Sequence, residues 1–311
     1  ITSMTSSDDF YLFPDSMLTK SNLFTIDQQL AGIQYPEAKG EVHSIKWYPK
    51  KEKFYAYQGE KPFEMFTNQA RLNGNLLLGP LGLIGDGIVR LDNARMISEK
   101  YEFNANDFIT DSTSLDLYAP NSDSVSFETI KLKAKIDFLS RQGTFDKRGV
   151  SIFAKMQPLR YETHLDGFIW GLDNNELTMS TGGRQKAVEI EKFHVSHMAD
   201  KDSIPTGSVF YSTRFDEDSL YFFSPKAKYN IKSSSLNAES VKYILTADAA
   251  IYPLDKKIAV EPIRRVITLY KSVVSASIPK RFHKIYNADI LIQSRKKYSG
   301  TGLYDYIDER D

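Results

Sequence analysis

Short stretches with a period of two run through almost the whole of this 311-residue chain, separated by turn residues. Successive side chains on an extended strand point to opposite faces, so alternation makes one face apolar and forces its burial. Residues 41–48 alternate in this way except at Val42, and 53–57 (Lys-Phe-Tyr-Ala-Tyr) alternate again after the turn Pro49-Lys50-Lys51-Glu52. This predicts a hairpin. Residues 75–78 and 87–91 bracket a Gly-Pro turn, and further strands are expected at 129–138, 149–156, 220–223, 241–245, 257–260, 263–270 and 288–292. Helical patterns are few. Residues 66–72 suit one or two helical turns, and 16–30 fit either period. The expectation is an all-β protein, an elongated β-solenoid or β-jellyroll-like stack of short strands with few or no long helices; a two-sheet sandwich is the alternative.

Three segments are expected: an N-terminal β segment over 1–71, a β-repeat module over 72–180, and a second module over 181–311 that continues beyond this sequence. The turn-rich stretches 173–185 and 199–208 mark the boundary between the modules. A short self-similarity supports repetition. Ser114-Leu115-Asp116-Leu117-Tyr118-Ala119-Pro120 matches Ser219-Leu220-Tyr221-Phe222-Phe223-Ser224-Pro225, and Gly85-Asp86-Gly87-Ile88 resembles Gly300-Thr301-Gly302-Leu303. The pieces occur in a different order in the two copies, so they are not a simple tandem duplication. They fit either stacked rungs, each burying its face on its neighbours, or chance matches between alternating strands of a sandwich.

Composition excludes several chemistries. Forty basic residues against forty acidic ones leave no net field to draw the chain to nucleic acid. There is no Cys, which removes disulfides, thiolate catalysis and Cys-based zinc sites, and is compatible with the periplasm or the cell surface. No stretch reaches the roughly 18 apolar residues that span a bilayer. The chain begins at Ile1 without a basic-then-apolar leader, so it reads as mature or excised material.

Candidate sites fall on spacing or strand geometry. Gly79, Gly82, Gly85 and Gly87 have the order Gly-x-x-Gly-x-Gly and precede a strand, so turns and bulges explain them better than a phosphate loop does. His194 and His197, near Asp200 and Asp202, would point to opposite faces of a strand. Asp216-Glu217-Asp218 lacks the spaced pattern of a calcium loop and reads as a turn. Trp47-Tyr48 and Trp170, with His164 and Asp166, offer a sugar-stacking platform, although buried tryptophan is the commoner use. Pro49-Lys50-Lys51 and Arg295-Lys296-Lys297 read as solvated hairpin tips that also guard sheet edges. No nucleophile elbow, zincin motif or kinase set occurs. No catalytic residue, metal ligand or cofactor is expected, and the chain is not read as an enzyme.

Residues 72–76 (Leu72-Asn73-Gly74-Asn75-Leu76), 82–87, 103–108 and 136–145 resemble part of a large Bacteroidetes envelope protein family, as do Ala247-Asp248-Ala249-Ala250-Ile251-Tyr252-Pro253, 283–288 and 298–306. The likeness covers residue 72 to the end and implies no activity. More distantly, Ala227, Tyr229, Ile231, Leu236, Ala238 and Val241 follow a rhythm similar to the OstA-type strands of lipopolysaccharide-transport proteins. Those proteins form a β-jellyroll whose apolar interior shields acyl chains. That likeness implies an apolar groove lined by Leu220, Phe222, Tyr229, Ile231, Leu236 and Val241. The implied role is a non-catalytic segment of a periplasmic or cell-surface β scaffold. Its expected partners are the remainder of its own longer chain and envelope components such as lipid, with no nucleic acid. A carbohydrate-binding or carbohydrate-processing module is the alternative, and a protein-binding module working by strand addition is a third reading.

Overall fold

A computed structural model describes residues 10–26, 32–180, 205–262, 267–276 and 283–305. Strands make up 66% of the structure and helix 4%, which settles the class as all-β. The described residues form two compact units. One comprises 1–149 with 170–174, and the other 150–169 with 175–311. The division at 149 differs from the expected cuts, and a boundary at 71/72 would fall inside a strand. Of the turn-rich stretches 173–185 and 199–208, residues 181–185 and 199–204 lie outside the described residues.

In the first unit the strands are β1 (Phe10–Leu12), β2 (Met17–Ile26), β3 (Ala38–Tyr48), β4 (Lys53–Gln58), β5 (Phe63–Met65), β6 (Ala70–Asn73), β7 (Leu76–Gly79), β8 (Gly82–Leu91), β9 (Ala94–Phe103), β10 (Asp107–Tyr118), β11 (Val125–Asp137) and β12 (Gln142–Lys147). All pair antiparallel. Long β3 is answered by two short strands, β4 against its second half and β5 against its first. These pair in turn with β7 and β6, and both of those pair with long β8. Each traverse of the fold is thus one bent strand, drawn either continuous or broken in the middle.

The bends have local causes. Register shifts interrupt β2–β3, β8–β9 and β10–β11 near their midpoints. A bulge frees backbone amides that need partners. Short polar side chains supply them: Ser112 N donates to Thr110 Oγ1 at 3.3 Å, and Asn75 N donates to Asp86 Oδ1 at 2.8 Å. Gly87, with φ of +106°, lies so close to Asn73 O that a Cβ would sit 2.2 Å from it, so a glycine is required at this bend. The glycine cluster therefore serves turns and bulges, with Gly82 closing the β7–β8 turn.

The bends bring the two halves of the unit around one core. Phe66, in the turn after β5, packs on Phe138 with ring centroids 4.4 Å apart, and also meets Phe103 and Phe108. This overturns the helical reading of 66–72. Phe66, Thr67 and Asn68 all take positive φ, and burial of the Phe66 ring outweighs the local helical pattern.

The second unit contains β13 (Ile152–Met156), β14 (Tyr161–Leu165), most of β15 (Gly167–Gly171), β16 (Glu176–Ser180), β17 (Ser208–Ser212), β18 (Tyr221–Ser224), β19 (Lys226–Asn230), β20 (Ser235–Glu239), β21 (Ile244–Thr246), β22 (Ala249–Tyr252), β23 (Lys257–Val260), β24 (Ile267–Ala276), β25 (His283–Ser294) and β26 (Lys297–Tyr304). Two antiparallel ladders run through it. One is β13–β14–β17–β18–β21–β22–β24, and the other is β16–β19–β20–β23. The chain crosses between them repeatedly, from β18 to β19, from β20 to β21 and from β22 to β23. Long bent strands β24, β25 and β26 follow, with register shifts in both of their pairings and positive φ at Lys271 and Asn287.

The antiparallel bent-strand ladder is jellyroll-like rather than a solenoid of parallel rungs. The matched segments are not equivalent rungs either. Ser114–Tyr118 in β10 runs into a turn, whereas Tyr221–Ser224 in β18 leaves one. Most expected strands are present, but 241–243 precede β21 outside any strand.

Candidate functional site

The six residues expected to line a lipid groove all face inward. Leu220 and Phe222 are 1% exposed, and Tyr229, Ile231, Leu236 and Val241 are 0% exposed. Tyr229 and Leu236 oppose each other across β19–β20, and Leu236 pairs with Val260 on β23. Phe222 stacks on Phe210 at 5.5 Å with rings 13° apart, and leans on Tyr161 at 6.2 Å. Alternation accounts for Tyr229 on β19 and Leu236 on β20, whereas Leu220, Ile231 and Val241 lie outside the strands and all four residues of β18 are buried. Their contacts make them packed core, and a groove able to hold an acyl chain would leave them exposed along its length. In this structure the six positions are packed interior with no open groove along them.

Asp216-Glu217-Asp218 is a short 3-10 turn, Phe215–Glu217, closed by Asp218 in the left-handed conformation. Its carboxylates diverge. Glu217 is buried: Tyr161 OH donates to its Oε2 at 3.3 Å, and Arg214 Nε lies 3.3 Å from its Oε1. Asp218 points away to Lys296 Nζ at 3.1 Å. Burial raises the Glu217 carboxyl above its ordinary value, opposed by hydrogen bonds from Ser212 and Tyr161 and by the Arg214 charge. The same burial, reinforced by Glu217, raises the Tyr161 phenol well above its usual range. The cluster pins the β17–β18 turn. It also engages the basic run Arg295-Lys296-Lys297: Arg295 N donates to Glu217 O, and the Arg295 guanidinium lies 5.5 Å from the centre of the Tyr221 ring.

Among the described residues no group of three or more His, Asp and Glu side chains stands in position to hold a metal. His194, His197, Asp200 and Asp202 lie outside those residues. Trp170 is 2% exposed and cannot face a sugar, and half-buried His164 packs on Phe153 at 5.3 Å. Trp47 is 41% exposed.

Two surface features bear on binding. One is a groove of about 1000 Å³ across the outer side of the bends in β9, β10, β11 and β12. Exposed Ile97, Ile109 and Ile130 line it. Its hydroxyls are committed to the bulge, where Ser98 Oγ and Thr110 Oγ1 are 2.8 Å apart and Thr113 Oγ1 donates to Ile97 O. Several of its charges are paired, Lys133 with Asp111 at 3.5 Å, Lys135 with Asp107 at 3.4 Å, and Lys100 with Glu102.

The second feature is the outer face of the β3–β4 hairpin. Ile45 and Ala56 point inward, so Lys46 and Tyr48 on β3 share the opposite face with Tyr55 and Tyr57 on β4. Tyr55 and Tyr57 are nearly parallel, 13° apart with centroids separated by 6.4 Å, and Tyr48 meets Tyr55 edge-on at 5.8 Å. Sequence reasoning singled out the neighbouring Trp47-Tyr48 pair and passed over Tyr55 and Tyr57. Their i, i+2 spacing on an alternating strand was the available signal.

No family model, curated protein or solved structure matches the chain. No helix among the described residues is long and apolar enough to cross a membrane.

Proposed function

We propose that this chain is a non-catalytic β-scaffold segment of a larger cell-envelope protein, acting through its surfaces and edges. The observation that carries the reading is the terminal strand β26, which pairs with β25 on one side and has no strand on its other side among the described residues. An open edge is a template for another strand unless charge, proline or a covering segment blunts it. Along β26 the charge is confined to Lys297 at its start; Gly300, Gly302, Leu303 and Tyr304 follow, with Leu303 66% exposed. A further segment of the same protein supplies the pairing strand. With the interior occupied by side chains, the scaffold does not carry lipid inside it.

Hydrogen exchange of β26 in the full-length protein, compared with the 311-residue chain alone, tests this. Protection of β26 amides that exchange freely in the shorter chain is expected, and equal exchange would overturn the reading. Fractionation must also place the protein in the envelope. Uptake of a fluorescent fatty acid by delipidated protein would refute the filled scaffold. Carbohydrate binding is a second reading, favoured by the parallel tyrosines on β4.

A further inference from the structure

We infer that the outer face of the β3–β4 hairpin binds an acidic polysaccharide, with Tyr48, Tyr55 and Tyr57 stacking against its sugar rings and Lys46, Lys50 and Lys51 meeting its anionic groups. This rests on the carbohydrate reading above and is independent of the scaffold reading.

Three properties of the face point to that ligand. The first is rigid aromatic presentation. The tyrosines sit on paired strands, Lys46 opposite Tyr55 and Tyr48 opposite Lys53, while Ile45 and Ala56 anchor the same strands in the core. Aromatic faces held in place in this way offer apolar surface to the C–H face of a pyranose, and the phenol hydroxyls add hydrogen bonds at the rim. Tyr57 is 38% exposed.

The second property is unspent positive charge. The turn Pro49–Lys51 brings Lys50 and Lys51 to the hairpin tip, and Glu52 in the left-handed conformation closes it. Lys46 Nζ and Lys51 Nζ lie 4.9 Å and 5.5 Å from the centre of the Tyr48 ring. Among the described residues neither these lysines nor Lys50 and Lys53 form an ion pair, in contrast to the paired lysines of the large groove. Among the described residues Glu52 follows Lys51 in the turn and Asp15 acts on Lys46, so four lysines stand against these two carboxylates.

The third property is the neutrality of the whole chain. Nucleic-acid affinity depends on releasing many counterions from a densely charged backbone, and a chain with forty charges of each sign adds no net field to a patch of a few lysines. A local cationic patch beside aromatic rings suits a polymer with sparser charge, bound through its ring faces.

Isothermal titration of the 311-residue chain with sodium alginate, with neutral dextran and oligo-dT in parallel, tests the inference. Alginate is expected to bind, dextran to bind more weakly, and added salt to weaken the alginate complex. Tyr57→Ala should weaken alginate binding by about tenfold, as expected for truncation of an aromatic contact residue, while Tyr57→Phe retains most of the affinity. The double variant Lys50→Gln/Lys51→Gln, confined to the solvated turn, should weaken binding and reduce its salt dependence without lowering the melting temperature. If Tyr57→Ala fails to fold, this double variant carries the test. No alginate binding, binding unchanged in the lysine variant, or tighter binding of oligo-dT than of alginate would overturn the inference. Preference for dextran would also overturn it, while leaving the broader carbohydrate reading standing.

Discussion

Replacing Phe222 with alanine distinguishes a filled interior from a ligand groove. Phe222 is 1% exposed, stacks on Phe210, leans on Tyr161 and pairs with Ile244 across the β18–β21 ladder. In a close-packed core, removal of the ring forfeits its transfer free energy and leaves a cavity, about 3–5 kcal/mol for Phe→Ala. Loss of the stacked contact with Phe210 falls within that figure. In an open groove solvent would fill the space, and the cost would be that of a surface substitution, within about 0.5 kcal/mol. The enlarging variant Phe222→Trp adds an independent reading, because overpacking a filled core costs about 1–3 kcal/mol whereas a groove admits the larger ring. Urea unfolding followed by far-UV circular dichroism measures both. With a slope of about 3 kcal/mol per molar, the alanine variant should lower the midpoint by about 1 M or more. Hydrogen exchange in β17, β18 and β21 should report the same loss locally, which guards against unfolding in more than one step. Midpoints within error of wild type for both variants would refute the packed-core argument and restore the groove.

Gly87→Ala should destabilise the first unit by more than about 1 kcal/mol, because the new methyl would meet a backbone oxygen at a positive-φ position, and a thermal melt checks it. Glu217→Gln tests the buried carboxyl through pH. Its folded value is raised, so its stabilising contribution is complete below the unfolded value of about 4.3 and is lost as pH rises through the folded value. The stability of wild type minus that of Glu217→Gln, from denaturant titrations at pH 7 and pH 4, should therefore increase at the lower pH; a constant or falling difference would count against the assignment. Burial also raises the phenols of Tyr101 and Tyr161, so both should stay protonated in the folded protein as pH passes about 10, seen as missing tyrosinate absorbance that appears on unfolding. Asp173→Ala removes the hydrogen bonds that Arg141 donates to its carboxylate, but both partners are exposed, so the stability change should remain below about 1 kcal/mol in a urea titration.

The sequence by itself determined the all-β class and the inward faces of many of the strands. Alternation depends only on neighbouring residues, so Ile45 and Ala56 on β3 and β4, and Tyr229 and Leu236 on β19 and β20, were legible as core before any pairing was known. The glycine cluster was legible for the same local reason, since its spacing and the following strand fit a turn and a bulge. What the inward faces enclose was decided only by tertiary structure. Whether Phe222 faces a ligand or Phe210 depends on residues brought together from separate strands, and strand periodicity is the same in both cases. The turn at Phe66 likewise depended on Phe103, Phe108 and Phe138, distant in sequence, whose burial of that ring overrode a local helical pattern. The tyrosine face arose at both levels: alternation put Tyr55 and Tyr57 on one side of β4, and the β3–β4 register set Tyr48 and Lys46 beside them.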